Sequence, residues 1–157
     1  MPLQKAMVSS KTVEHITPQS FFKKLDDEFN FTLDPCSTDE NHKCEKYYTI
    51  KDDGLSKDWS NEVVFMNPPY KGRTPFWIKK AYEESIKGAT VVCLIAAGIN
   101  RTYWHDIIFR YAAQIRWIRG CIKFEDAKST APFASAIVIF DQRREYLDKH
   151  VYNWPSK

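Results

Sequence analysis

The sequence predicts an α/β domain with a mixed, mostly parallel sheet and flanking helices. Two short apolar runs, at residues 63–66 and 90–97, are rich in β-branched side chains, as buried strands are. The residues between them, 74–87, begin with Thr-Pro and carry apolar side chains at helical spacing. A strand, a helix and a second strand in this order are typical of a parallel crossover. A third apolar run, at 132–140, extends the sheet.

The chain is long enough for one compact domain and too short for two of ordinary size. Of its 157 residues, 43% are apolar and 15% are aromatic, which predicts a sizeable core. We expect a single domain over residues 15–157, with residues 1–14 as a flexible arm because they show no periodicity. The net charge of +3 is compatible with a polyanionic partner but does not by itself predict one.

No feature of the sequence predicts secretion or membrane insertion. The first eleven residues lack an apolar segment, and no run approaches the roughly 18 apolar residues of a membrane span. A soluble, cytoplasmic protein without membrane partners is therefore expected, with its four cysteines as reduced thiols. Cys36, His42 and Cys44 lie close in sequence but lack a paired Cys-x2-Cys spacing, so we predict no metal site.

The first ordered element should be a helix over residues 19–29. Thr17 is a good N-cap residue, and Pro18 suits the first helical position. The helix has one apolar face, made by Phe21, Phe22, Leu25 and Phe29.

Two short strands are expected next, at 31–36 and 47–50, followed by an acidic turn. The turn contains Asp52 and Asp53, which either bind a ligand or are simply solvated. Trp59 is expected to pack near the rim of a pocket.

The second half of the chain predicts a helix, a hairpin and a final charged segment. Apolar residues in 102–112 are spaced as in a helix. Residues 114–118 alternate, turn at Arg-Gly and return as 121–124, which is a hairpin signal. Residues 141–154 have a charged, partly amphipathic helical character.

The central strand ends abruptly in Asn67-Pro68-Pro69-Tyr70 because neither proline has a backbone N–H group to continue a ladder. In α/β sheets, ligands bind at the carboxyl ends of strands. The Asn67 side chain and the Pro68 carbonyl offer two acceptors for the two N–H groups of an amine or amide, and Tyr70 offers a ring for stacking. Such acceptors would draw out the lone pair of a weakly nucleophilic amine. The alternative is an Asn-Pro-Pro turn that merely ends a strand.

Basic residues follow this motif directly. Lys71 and Arg73 lie just after it in a short loop. They either hold phosphates beside the proposed pocket or form a solvated surface.

Several strings in one order resemble a known family, the small phage-type DNA N-6-adenine methyltransferases, often called phage Dam. The resemblance covers roughly residues 16 to 140. The strings are Thr-Pro before the first helix, Phe-Thr-Leu-Asp-Pro-Cys at 31–36, Asp-Asp-Gly-Leu at 52–55, Asn-Pro-Pro-Tyr at 67–70, Arg-Gly at 119–120 and Ala-Pro-Phe at 131–133. Many strings in the same order are more specific than one short motif.

This resemblance implies an abbreviated Rossmann-like class I methyltransferase fold, S-adenosylmethionine as methyl donor and adenine in DNA as acceptor. It implies a phage or prophage protein in the cytoplasm of a bacterial host. It assigns catalysis to the motif at 67–70. The cofactor would be bound by Thr17, Pro18, Asp34, Pro35, Asp52 and Asp53, and DNA would be bound by Lys71, Arg73, Arg101 and Phe133. Arg101 is included because the preceding loop has Ala96-Ala97-Gly98 where the family tends toward Pro-Ala-Arg.

Other functions remain open at this stage. The acceptor could be cytosine N4, adenine in RNA or a protein glutamine, because the same motif serves amines and amides. The turn at 36–41 contains no glycine, unlike the usual donor-binding turn, which keeps open a DNA-binding module without catalysis. The chain could also be a subunit that needs a partner for target recognition. No separate recognition domain is found, so sequence specificity would come from loops, from the second subunit of a homodimer or not at all.

Overall fold

The computed structural model describes residues 15–69 and 72–157, and within them the chain forms a five-stranded mixed sheet with helices packed on it. The predicted arm at 1–14 lies outside the described residues. In chain order the elements are α1 (Gln19–Phe29), β1 (Val63–Met66), α2 (Thr74–Ile86), β2 (Thr90–Ala96), a π-helical turn (Trp104–Ile108) that continues into α3 (Phe109–Tyr111), β3 (Gln114–Arg119), β4 (Ser135–Phe140) and β5 (His150–Pro155).

The strand order across the sheet is β1-β2-β4-β3-β5. β1 pairs with β2 in parallel, and β3 pairs with β5 in parallel. β4 is antiparallel to both of its neighbours. The predicted mixed sheet is therefore confirmed, but it is not mostly parallel, since two of the four strand pairings are antiparallel.

The two faces of the sheet bury different apolar clusters because side chains alternate along each strand. Val64 and Met66 of β1 pack in one cluster with α2 and the π-helical turn. Phe65, which lies between them, packs in the other cluster with the aromatic face of α1. The helices thus cover both faces, and β2 is buried along almost its whole length.

The predicted first helix is confirmed with its apolar face buried. Its start differs from the prediction: Pro18 occupies the N-cap position, one residue later than expected, and makes no side-chain cap. The Thr17 hydroxyl is instead in contact with the Asn67 side chain. Near the end of this helix, Glu28 makes a bidentate ion pair with Arg116 of β3, with N–O distances of 2.6 Å.

The predicted crossover is confirmed by α2, which joins the parallel strands β1 and β2. Pro75 lies in the first turn of α2, where its missing N–H group costs nothing. Gly88 follows the helix with a φ of 112°, a conformation that favours glycine. The predicted helix at 102–112 is also helical, although its first turn is π-helical.

The two short strands expected at 31–36 and 47–50 are reduced to isolated bridges, Leu33 with Val64 and Asp34 with Tyr47. Gly54 lies against this region, where a Cβ atom would come within 2.1 Å of the Pro35 carbonyl oxygen. Trp59 was expected near a pocket rim but is fully buried. Its indole N–H group donates to the Gly54 carbonyl at 3.0 Å, so that this ring belongs to the core.

Two predictions for the second half are wrong. Residues 121–124 form no return strand, since both edges of β3 are already paired, with β4 and with β5. The segment 141–154 is not helical and ends in β5, whose pairing with β3 decides its conformation. Arg116 lies 4.4 Å from the Trp154 ring centroid and helps hold β5 against the sheet. Among the described helices, none has the length and apolar character needed to cross a bilayer.

Candidate active site

The candidate site lies where β1 and β2 end. These strands are parallel and Met66 is level with Cys93, so their carboxyl ends meet at one edge of the sheet. Asn67 follows β1 directly and is partly buried. Pro68 is buried and Pro69 is exposed, which turns the chain outward at this edge. Tyr70 and Lys71 lie outside the described residues.

The Asn67 side-chain amide is held through its nitrogen. Nδ2 donates to the backbone carbonyl of His15 at 2.6 Å and to the hydroxyl of Thr17 at 3.0 Å. Both partners are some fifty residues away in sequence, and Thr17 is only 2% exposed. The amide is therefore tied to the segment that leads into α1.

The backbone of the motif is fixed as well. The thiol of Cys36 donates to the Asn67 carbonyl at 3.3 Å. Burial raises the pKa of this thiol well above its ordinary value, so that it keeps its proton at neutral pH. On the other side, the Thr74 hydroxyl donates to the Pro69 carbonyl at 3.2 Å and joins the motif to the first turn of α2.

Asp34 lies beside Cys36 and is 4% exposed. Its carboxylate accepts the backbone N–H of Lys43 at 2.9 Å, which closes the loop between them. Burial raises the pKa of Asp34 to about 6, although hydrogen bonds from backbone N–H groups oppose this rise. Pro35 is buried against Gly54. The structure thus gives Asp34 a contact within its own loop, and its predicted role toward a donor stays a prediction.

Asp52 and Asp53 are both exposed. The carboxylate of Asp52 accepts the backbone N–H and the hydroxyl of Thr49, and these hydrogen bonds lower its pKa. Asp53 has a φ of 55° and precedes the short helical turn at Gly54–Ser56. Asp53 is the more available of the two for a ligand because Asp52 is used to form the turn.

Three of the residues predicted to contact DNA, namely Arg73, Arg101 and Phe133, lie in segments near the same edge. Arg73 is exposed, and its guanidinium lies 5.5 Å from the ring centroid of Phe76. Arg101 is exposed in the loop after β2. Phe133 is half-buried and packs edge-on against His15, with ring centroids 5.5 Å apart.

Four contacts near the site were not predicted from the sequence. They involve the His15 carbonyl, the Cys36 thiol and the side chains of Glu125 and Asp126. Every residue has a backbone carbonyl, so the residue type cannot indicate that this one is used. The other three residues contact partners thirty to more than a hundred positions away, which a single sequence does not reveal. Only Thr-Pro at 17–18 gives a sequence signal, which indicates a helix start and, through the family resemblance, a cofactor contact.

No metal centre accompanies the site in the part of the chain that the structure describes. Residues 15–69 and 72–157 contain no group of three or more His, Cys, Asp and Glu side chains arranged to hold a metal ion. The polar groups at this edge are instead amides, hydroxyls and carbonyls.

Comparison with known proteins places the chain in a family. The family model of DNA N-6-adenine-methyltransferase (Dam) matches residues 7–149. The chain is 32% identical over 104 residues to the DNA N-6-adenine-methyltransferase of Haemophilus phage HP1, which covers 65% of this chain and 60% of that protein. It is 33% identical over 106 residues to the protein of the same name from Escherichia phage T1, covering 66% of this chain and 44% of that protein.

The chain therefore spans less than two thirds of the length of these relatives. The family match, by contrast, covers nearly all of this chain. It includes the segment that leads into α1, β1 with the motif that follows it, and the sheet through β4. This chain belongs to the DNA N-6-adenine-methyltransferase (Dam) family.

Proposed function

We propose that this protein transfers a methyl group from S-adenosylmethionine to the exocyclic N6 amine of adenine in DNA. The observation that carries the proposal is the fixed Asn67 amide at the end of β1, with its nitrogen bound to His15 and Thr17. The family membership of the chain and the names of its phage relatives support the same activity.

The residues at 67–70 would act on the acceptor amine. An adenine N6 group has two N–H donors and a lone pair that is delocalised into the ring. Asn67 would accept one N–H through its side-chain oxygen, and the Pro68 carbonyl would accept the other. Both acceptors are held in place, the first by two hydrogen bonds and the second by the fixed φ of Pro68 and the restriction that Pro69 puts on the residue before it. Such preorganised acceptors stabilise the positive charge that the amine develops as it attacks.

Tyr70 would stack on the base, which has to leave the duplex to reach this edge of the sheet. No covalent bond between protein and base is required, because orientation and electrostatic stabilisation supply the rate. The proton lost from the amine would leave through one of the two acceptors to solvent.

The residues present fit S-adenosylmethionine in two respects. The exposed carboxylate of Asp53 lies in the turn that packs on Pro35, where it could accept from ribose hydroxyl groups. The carboxyl edge of β1 and β2 also offers a partly buried polar side chain at Asn67. When bound, S-adenosylmethionine supplies an electrophilic methyl group. Asp34 would support this site by keeping the loop up to Lys43 closed.

DNA would contact the same edge. Arg73 and Arg101 are exposed after β1 and after β2, and they could each neutralise a phosphate together with Lys71. Phe133 would contact the target strand from the loop that leads into β4. In a homodimer, the second subunit would contribute further contacts.

Replacement of the proposed acceptor tests this function directly. We expect Asn67→Ala to lower methyl incorporation into unmethylated DNA by at least about a hundredfold, since an electrostatic contact to the reacting group is lost. Gln142→Ala is the matched control. Gln142 is an exposed amide just beyond β4, which runs antiparallel to β2, so it lies at the opposite edge of the sheet.

The measurement is transfer of radiolabelled methyl groups to DNA, followed by nucleoside analysis. N6-methyladenine in the wild-type and Gln142→Ala products, and its loss with Asn67→Ala, supports the proposal. N4-methylcytosine as the product, or full activity of Asn67→Ala, would overturn it.

A further inference from the structure

We infer that Thr17 and the backbone carbonyl of His15 fix the orientation of the Asn67 amide, which makes Thr17 a positioning residue and not a cofactor ligand. This inference rests on the proposed function, because it concerns the same amide. It differs from the role that the sequence suggested for Thr17.

The first step concerns the two ends of an amide group. The oxygen of a carboxamide accepts hydrogen bonds and its NH2 group donates them, yet the two ends have nearly the same shape. An Asn67 side chain turned by 180° about its last bond would present NH2 to an incoming amine and repel its N–H groups. The catalytic proposal therefore requires a device that selects one orientation.

The His15 carbonyl supplies that selection. A backbone carbonyl only accepts, and the atom of Asn67 at 2.6 Å from it must therefore be the donor Nδ2. The reversed amide would place two oxygen atoms at this short distance with no proton between them. The Thr17 hydroxyl oxygen, at 3.0 Å from the same nitrogen, accepts a hydrogen bond from its second N–H group. The oxygen of Asn67 is thereby set at the opposite end of the group.

The second step is that these two acceptors are themselves held. Ile16, which lies between the two, is held through its backbone. Its carbonyl accepts the N–H of Glu125 at 3.0 Å, and the N–H of Ile16 donates to the Asp126 carboxylate at 3.3 Å. The ring of His15 packs on Phe124, with centroids 4.7 Å apart. Segment 15–17 is thus bound on one side to the loop at 124–126 and on the other side to Asn67.

The burial of Thr17 separates the two roles. At 2% exposure its hydroxyl is enclosed by protein, and the atom in contact with it is the Asn67 nitrogen. A cofactor ligand would change the affinity for S-adenosylmethionine when it is replaced. A positioning residue would change the rate of the chemical step and leave that affinity unchanged.

The experiment compares Thr17→Val, which keeps the shape but removes the hydroxyl, with Thr17→Ser, which keeps the hydroxyl. We expect Thr17→Val to lower the single-turnover rate of DNA methylation about 10- to 100-fold, because one hydrogen bond is worth about a factor of ten and misplacement of a reacting group costs up to about a hundredfold. Thr17→Ser should restore most of the rate. The Kd of S-adenosylmethionine, measured by calorimetry, should change less than about twofold in either variant.

A readout independent of turnover accompanies the rates. In protein labelled with 15N at asparagine, the two Nδ2 proton resonances of Asn67, assigned with Asn67→Ala, should be protected from solvent exchange in wild type and in Thr17→Ser. They should exchange faster in Thr17→Val. Thermal unfolding of each variant shows whether the fold persists.

Failure of the inference differs from failure of the proposed function. If wild type methylates adenine and Thr17→Val is as fast, or is slow only because S-adenosylmethionine binds weakly, the inference is overturned and the proposed function stands. If wild type transfers no methyl group to DNA, the proposed function fails, and the exchange of the Asn67 amide still decides whether Thr17 holds it.

Discussion

Asp34 shows how a single buried carboxylate shapes the region beside the proposed site. It is 4% exposed and holds the backbone N–H of Lys43. Desolvation outweighs the stabilising hydrogen bonds and raises its pKa to about 6. Between the ordinary pKa near 3.8 and this value, the folded protein keeps a proton that the unfolded chain releases. The contribution of this group to stability is therefore complete below about pH 4 and declines as the pH rises to about 6.

We expect this decline to disappear in Asp34→Asn, which carries no proton to lose. From pH 4 to pH 7 the free energy of unfolding of wild type should fall relative to Asp34→Asn by up to about 3 kcal/mol, given about 1.4 kcal/mol per pKa unit. Urea unfolding of both proteins at four pH values measures the difference. Asp106→Asn, at an exposed position, should run parallel to wild type. Parallel curves for Asp34→Asn would contradict the assigned pKa.

Residue types at the site could be predicted from the sequence, but their partners could not. Asn67 was recognised from its prolines, and its place at a strand end is confirmed. The hydroxyl of Thr17 was assigned to a helix cap because Thr-Pro is a common start signal. In the folded chain that hydroxyl bonds Asn67, fifty residues away, and this contact depends on how α1 packs on the sheet. A single sequence does not indicate which residues so far apart along the chain come into contact.

At the scale of elements, α1 begins without a cap of its own. Pro18 has no side-chain hydrogen bond to offer, and the free N–H groups of the first turn need acceptors. The carboxylate of Glu125 supplies one by accepting the N–H of Gln19 at 2.7 Å. A negative charge is also favourable at a helix N-terminus. The loop at 124–126 thus caps α1 and holds the segment that contacts Asn67.

We expect Glu125→Ala to lower the free energy of unfolding by about 1 kcal/mol, the usual cost of a lost N-cap. Glu125→Gln keeps an acceptor oxygen and should recover most of this loss. Chemical denaturation measures the energies, and hydrogen exchange at residues 19–21 locates the effect. Equal stability of Glu125→Ala and wild type, with unchanged exchange in α1, would show that the cap is not used in solution.

Elements with a clear period and a clear stop were predicted well. The order β1, α2, β2 followed from two apolar runs and from Pro and Gly at the helix ends. The predicted hairpin is wrong because the alternation of apolar and polar residues in 114–118 predicts a strand but does not indicate which strand pairs with it. β4 and β5 take both edges of β3, so that Ile122 and Phe124 are buried beneath the sheet instead. β5 was not predicted because the segment around it is charged and has no clear strand pattern. Its extended conformation depends on its pairing with β3.

At the scale of the whole molecule, the net charge of +3 is weakly basic and does not by itself predict DNA binding. Binding would have to depend on a few well-placed cations at the edge where β1 and β2 end. Arg73 and Arg101 are exposed there, on the loops that follow these two strands. The opposite edge, beyond β4, also carries exposed cations, Arg143 and Arg144, of which Arg144 is paired with Asp141 at 3.3 Å. A polyanion bound through Arg73 and Arg101 would lie beside the Asn67 amide.

The salt dependence of DNA binding tests this distribution of charge. Each phosphate contact releases condensed counterions, so its loss should lower the slope of log K against log salt concentration by about 0.9. We expect Arg73→Gln and Arg101→Gln each to cause a change of this size and to weaken binding of all duplex sequences alike. Lys23→Gln changes the net charge equally, but Lys23 lies on α1 and is paired with Asp27 at 2.8 Å. Its slope should match wild type, measured by fluorescence anisotropy between low and physiological salt. Equal slope changes in all three variants would mean that DNA binding depends only on the net charge of the protein. No phosphate would then be bound at the edge beside Asn67.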